Sequence, residues 1–130
     1  MGKMTKSSKR KARKPCPIIT TLTEIHSGKF TSATDKHGTG GTLVTVKNVL
    51  VLLTSPAEDG DTHVTVLFLH LGVPWFTTEI TPVEKAKGVK DPPILRRIDI
   101  TGYVYWDPEH VTELWHSYTG WEIHPIVSWK

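Results

Sequence analysis

From His63 to His70 the side chains alternate, with Val64, Val66 and Phe68 on one face and His63, Thr65, Leu67 and Leu69 on the other. A two-residue period belongs to a strand whose faces meet different surroundings. Four further runs of strand length share this character. Leu43 to Leu53 is dominated by valine and leucine, and Lys47 and Asn48 interrupt it where a bulge would let a long first strand curl. It ends in the turn-forming run from Thr54 to Asp61 and pairs with His63 to His70 as a hairpin. Gly72, Val73 and Pro74 lead into a third strand, Trp75 to Thr81. In the fourth, Ile98, Ile100, Gly102, Val104 and Trp106 alternate against Asp99, Thr101, Tyr103 and Tyr105, and Trp121 to Trp129 is the last. The polar stretch from Pro82 to Pro93 has room for one helical turn around Val83 to Lys87. Asp107 to Gly120 reads as a loop or short helix, because Pro108 and Glu109 suit a helix start.

Five such strands solve their edge problem by curling into a small barrel. The order of a long bent strand, a meander, a break and two more strands resembles that of OB-fold proteins, and the likeness covers Leu43 to Trp129. The expectation is therefore an all-β chain with a five-stranded OB-fold-like barrel over 43–130. An SH3-like barrel or a small sandwich uses similar elements and stays open. Residues 18–42, rich in threonine, glycine and serine, read as a linker with a short strand around Ile18 to Ile25.

A chain of 130 residues with 38% hydrophobic positions holds one domain with a modest core. Its single cysteine, Cys16, cannot form an internal disulfide, which fits a reducing compartment. No apolar run reaches the roughly 18 to 20 residues of a membrane span. The first residues are basic with no apolar run behind them. The expected location is cytoplasmic, or nuclear in a eukaryote, with no membrane partner.

The formal charge of +3 conceals a division. Lys3, Lys6, Lys9, Arg10, Lys11, Arg13 and Lys14 crowd a start that contains no acid, and the rest of the chain carries nine basic against thirteen acidic residues. A tail of like charges lacks the apolar surface that would offset its ordering entropy, so residues 1–17 read as a disordered basic tail. Lysines and arginines of this kind neutralise phosphates and release counterions, giving salt-sensitive affinity for nucleic acid.

Candidate chemistry gathers in two loops. The first supplies Glu58, Asp59, Asp61 and His63; the second, with the last strand, supplies Asp107, Glu109, His110, Glu113, His116, Glu122 and His124. Glu122 and His124 are two apart and share a face, opposite Trp121, Ile123 and Val127. The expectation places the apolar set in the core and Glu122 and His124 outward, within reach of Asp61 or His63. Carboxylates and imidazoles that converge suit a divalent metal or general acid/base chemistry, giving Asp59, Asp61, His63, Glu122 and His124 as candidate metal ligands. A tight turn is the simpler role for Asp59-Gly60-Asp61.

Two short runs carry further resemblance. Asp59-Gly60-Asp61-Thr62 is similar to the calcium-site region of thermonuclease-like OB-folds, which implies Asp61 and Thr62 as metal-site residues. That family's arginine after the second strand has no counterpart here. Trp121-Glu122-Ile123-His124-Pro125 resembles the ending of small uncharacterised prokaryotic OB-like proteins.

Among the aromatic residues, Trp106, Trp121 and Trp129 are expected in the core, whereas Tyr103 and Tyr105 have the parity of an outward face on which bases stack. The leading expectation is a non-enzymatic nucleic-acid-binding protein, of RNA or DNA and possible in a ribonucleoprotein or ribosome-associated setting, needing no cofactor. The basic tail, Tyr103 and Tyr105 would make its contacts. The alternatives are a nuclease or phosphodiesterase dependent on a divalent metal, and a protein-interaction module whose acidic barrel docks a basic partner.

Overall fold

The structure, a computed structural model, describes residues 16–70 and 72–130. The basic residues Lys3 to Lys14, expected in a disordered tail, lie outside the described residues. Among the described residues there are six strands: β1 (Ile18–Thr20), β2 (Leu43–Pro56), β3 (Thr62–His70), β4 (Val73–Ile80), β5 (Arg97–Trp106) and β6 (Trp121–Trp129). Two five-residue helices, α1 (Leu22–His26) and α2 (Pro82–Ala86), accompany them.

The sheet order is β1-β2-β3-β4-β6-β5, and a further pairing of β2 with β5 closes β2 to β6 into a barrel. The meander β2-β3-β4 is antiparallel, β4 meets β6 in parallel through Thr78 and Ile123, and β5 runs antiparallel to both β6 and β2. This is the OB-fold-like order expected from the sequence.

Closure depends on β2 serving two partners. Its first half pairs with β5 and its second with β3, and the register shifts between Val46 and Val49. Asn48 takes the extra position with φ 59°, and its N–H donates to Asp99 Oδ1 at 2.9 Å. The interruption seen at Lys47-Asn48 is thus a bulge within the pairing to β5, and the strand passes to β3 a few residues later, at Val51.

The core consists of side chains pointing inward from β2 to β6, including Val44, Val64, Phe76, Ile100 and Ile123, all buried. On β6 the inward positions are Ile123 and Ile126, where strict alternation places Val127. The β5–β6 register shifts around Gly102, and a Cβ there would stand 2.6 Å from the Pro125 carbonyl oxygen. Only a glycine lets the strands approach so closely at the shift. Trp121 and Trp129 flank the core, half-buried, whereas Trp106 is 38% exposed and rests edge-on against Trp121. The core position expected for Trp106 is therefore not taken up: it ends β5, where the barrel opens to solvent.

Residues 18–42 are more than a connection. β1 adds in parallel to β2, and α1 sends Leu22 and Ile25 into the core. The Thr21 hydroxyl caps α1 by accepting the Glu24 N–H. Further on, Ala33 bridges to Tyr105 and Gly38 lies against the Tyr103 ring, where a Cβ would come within 2.5 Å. The stretch looks like a linker in sequence because its apolar residues are few and scattered, Leu22 and Ile25 in the helical turn, Ile18 and Ile19 exposed on β1 and Phe30 beyond them.

Candidate functional site

The outward face of β3 and β4 is the usual ligand face of this architecture, flanked by the β2–β3 turn and the β5–β6 connection. Cross-strand pairing sets His63 beside Glu79, Thr65 beside Thr77 and Leu67 beside Trp75. The β5–β6 connection, two short 3-10 turns at Pro108–His110 and Leu114–His116, folds over this face. The Trp115 carbonyl accepts from Trp75 Nε1 at 3.1 Å and from the Thr77 hydroxyl at 3.4 Å. Ser117 donates its hydroxyl to the Trp75 carbonyl. These bonds set the Trp115 ring parallel to His63, with centroids 5.1 Å apart and planes 11° from parallel.

Behind this aromatic layer lies a group of buried charges. The Asp-Gly-Asp turn forms as expected, with Gly60 at φ 89° and the Asp59 carboxylate accepting the Asp61 N–H at 3.1 Å. It delivers Asp61 to β6, where His124 Nε2 stands 3.0 Å from Asp61 Oδ2 and 3.7 Å from Glu79 Oε1. The Nδ1–H of His124 donates to the Lys36 carbonyl at 2.7 Å. A residue of the segment read as a linker therefore orients the central imidazole.

His116 is held in the same way. Its Nδ1–H donates to the Thr119 carbonyl, and its Nε2 is 2.5 Å from Glu122 Oε2. Burial pushes the Glu122 carboxyl well above its usual value, with the Glu79 charge adding to the effect. Burial likewise lowers His116. Both directions favour neutral partners. With Nδ1 carrying the imidazole proton, His116 Nε2 is the acceptor and Glu122 donates its O–H to it. The other carboxyl oxygen, Oε1, is buried with no hydrogen-bond partner, while the carboxyl stands within hydrogen-bonding reach of Glu79.

Glu79 stays ionised despite burial, which opposes it, because His63 and His124 hold it down to about 2. His63 Nε2 donates to Glu79 Oε1 at 2.9 Å and is raised above the usual imidazole value chiefly by this bond. Burial raises Asp61, and its bond to His124 only partly offsets the rise. A cavity of about 320 Å³ opens over the group, lined by Lys36, Asp59, His63, Glu79, His110 and Trp115 among others. Burial opposes the charge on Lys36, but Asp107, Asp59 and Glu79 outweigh it and keep the ammonium above its ordinary value.

Of the sequence candidates, Asp61 and His124 meet directly, His63 joins them through Glu79, and Glu122 lies behind in its pair with His116. Asp59 lines the cavity mouth. Glu122 and His124 do share a face, as expected, yet that face is buried: they are 0% and 1% exposed, covered by the connections that carry Lys36 and His116. Tyr103 and Tyr105 are half-buried beneath residues 33–42 instead of standing on an open face, and Tyr105 packs against His124 at 5.7 Å between centroids. Glu79 escaped the sequence reading. Its signal was a lone carboxylate on β4 with the parity of Trp75 and Thr77. No helix of the described residues is long and apolar enough to cross a membrane.

No protein-family model, curated protein or solved structure matches the chain.

Proposed function

We propose that this protein binds single-stranded nucleic acid, with bases on the β3–β4 face and phosphates drawn by the basic N-terminal residues. The observation that carries this reading is the aromatic layer of Trp75, His63 and Trp115 on the outer side of β3 and β4, between the two loops that border an OB-type ligand face. Aromatic side chains accept any base by stacking and impose little sequence preference. Lys3, Lys6, Lys9, Arg10, Lys11, Arg13 and Lys14 add affinity through counterion release, which weakens with salt. The test is binding of fluorescent single- and double-stranded RNA and DNA by the full chain, by a chain starting at Pro15 and by Trp115→Ala, over a salt series. The reading requires single strands to be preferred, residual salt-tolerant binding by the shortened chain, and a loss of about 1–3 kcal/mol on Trp115→Ala. Complete loss of binding with the first fourteen residues would remove the barrel from the interaction.

A second reading, a metal-dependent phosphodiesterase, is favoured by the carboxylates and imidazoles that meet beneath the cavity. It requires cleavage of a labelled single-stranded oligonucleotide that a chelator stops and His124→Ala abolishes. Intact oligonucleotide after prolonged incubation with Mn2+ or Mg2+ would exclude it.

A further inference from the structure

His124 poses a problem of matching. Its Nδ1–H is committed to the Lys36 carbonyl, so in the neutral ring Nε2 carries a lone pair. That lone pair faces Asp61 Oδ2 at 3.0 Å and Glu79 Oε1 at 3.7 Å, and both oxygens are acceptors when ionised. Two carboxylate oxygens and one imidazole nitrogen thus converge at a buried point that a single cation can satisfy, either a proton shared in the Asp61–His124 hydrogen bond or a metal ion in its place.

The spacing approaches that of one metal ion: the His124–Asp61 separation is 3.0 Å, and Glu79, at 3.7 Å from His124, would have to draw in slightly. Ligand atoms bound at about 2.1 Å to the same ion stand about 3.0–3.4 Å apart in octahedral or tetrahedral arrangements. The three residues come from β3, β4 and β6, each buried, with their ligand atoms within 4.8 Å of one another. They therefore form a site built by the barrel's own strands, not a cluster on a loop. A second observation points to the same place. Glu122 is fully buried, its Oε1 has no hydrogen-bond partner, and its carboxyl reaches Glu79. A polar atom left in this condition costs free energy that an adjacent cation would recover. The imidazole is also prepared as metal-bound histidines usually are, its far nitrogen donating to a backbone carbonyl.

A cation here would change the character of the ligand face. Glu58, Asp59, Glu79 and Asp107 line the cavity and repel a phosphate, and Lys36 lines it with them. We propose that Asp61, Glu79 and His124 bind a divalent cation, of the Mn2+, Mg2+ or Zn2+ class, through which this face takes a phosphate oxygen of its ligand. Two carboxylates and one imidazole suit these ions, and Glu79 lines the cavity from which water or a phosphate would complete the coordination. The phosphate part rests on the nucleic-acid reading; the metal part does not.

The experiment separates the two. Full-length protein is titrated with Mn2+ alone and followed by electron paramagnetic resonance and calorimetry, with Zn2+ as a second probe. About one ion per chain is expected to bind, with affinity reduced at least tenfold in Glu79→Gln and binding lost in His124→Ala. Glu79→Gln preserves shape and hydrogen bonding, so it remains informative if His124→Ala does not fold. Absence of saturable binding of either ion, or equal binding by wild type and Glu79→Gln, overturns the site. Binding of a short single-stranded oligonucleotide is then compared in Mn2+ and in a chelator. At least tenfold tighter binding with the metal, absent in Glu79→Gln, is expected. Metal binding without that gain overturns the phosphate bridge. If the protein binds no nucleic acid either in Mn2+ or in chelator while Mn2+ itself still binds, the functional reading fails and the metal site stands.

Discussion

Strand β6 buries both of its faces, and the two could hardly differ more. Ile123 and Ile126 point into the barrel among valines, isoleucines and Phe76. Glu122 and His124, one residue away, are equally inaccessible but lie among carboxylates, imidazoles and backbone carbonyls. The first face draws stability from removing apolar surface from water. The second gives up hydration and recovers it only through specific partners. Equal burial thus has opposite energetic meanings on the two sides of one strand.

The comparison breaks most sharply by truncation. Ile123→Ala should cost about 2–5 kcal/mol in chemical denaturation, the usual loss for a large aliphatic residue in a full core. A much smaller loss would mean that the inner face is loosely filled. On the other face, Glu79→Gln should cost about 2 kcal/mol near pH 7. The Glu79 carboxyl falls from 4.5 to about 2 on folding, so its contribution is complete above pH 4.5 and fades as pH drops towards 2. The stability difference between wild type and variant should close over that interval, measured by thermal melts.

Glu122→Gln should do the reverse. Folding raises this carboxyl, so its neutral form is favoured and stability is lost as pH climbs above 4.5. The glutamine variant escapes that loss. Its melting temperature should exceed that of wild type at pH 7 by a few degrees, which corresponds to about 1 kcal/mol, with the gap narrowing towards pH 4.5. In the same variants, proton NMR should place His63 above 6.5 in wild type and lower in Glu79→Gln, since its bond to Glu79 causes the rise. The smallest effect belongs to a residue that neither face buries: Leu69, 81% exposed on β3, should tolerate threonine within about 0.5 kcal/mol.

The sequence made one side of this comparison readable. Alternation separated Glu122 and His124 from Ile123, and the break at Lys47-Asn48 marked the bulge at which β2 bends along β5. Period two reports which side of a strand a residue occupies, but not what covers that side. The cover consists of a lysine carbonyl, a threonine carbonyl and two short 3-10 turns, none of which has a hydrophobic pattern. Tyr103 and Tyr105 were misplaced for the same reason: their parity points outward, and residues 33–42 occupy the outside. Glu79 was hidden because a single carboxylate in a strand carries no periodic signal; its meaning arises only when β3 and β6 bring His63 and His124 alongside.

The contact between Lys36 and His124 uses the lysine's backbone, not its side chain. Any residue able to adopt the same backbone conformation would therefore keep the imidazole aligned, while the ammonium at the cavity mouth could be exchanged for another group. Ring alignment and entrance charge are consequently separable traits carried by one position, so drift or engineering can retune what approaches the centre without dismantling it.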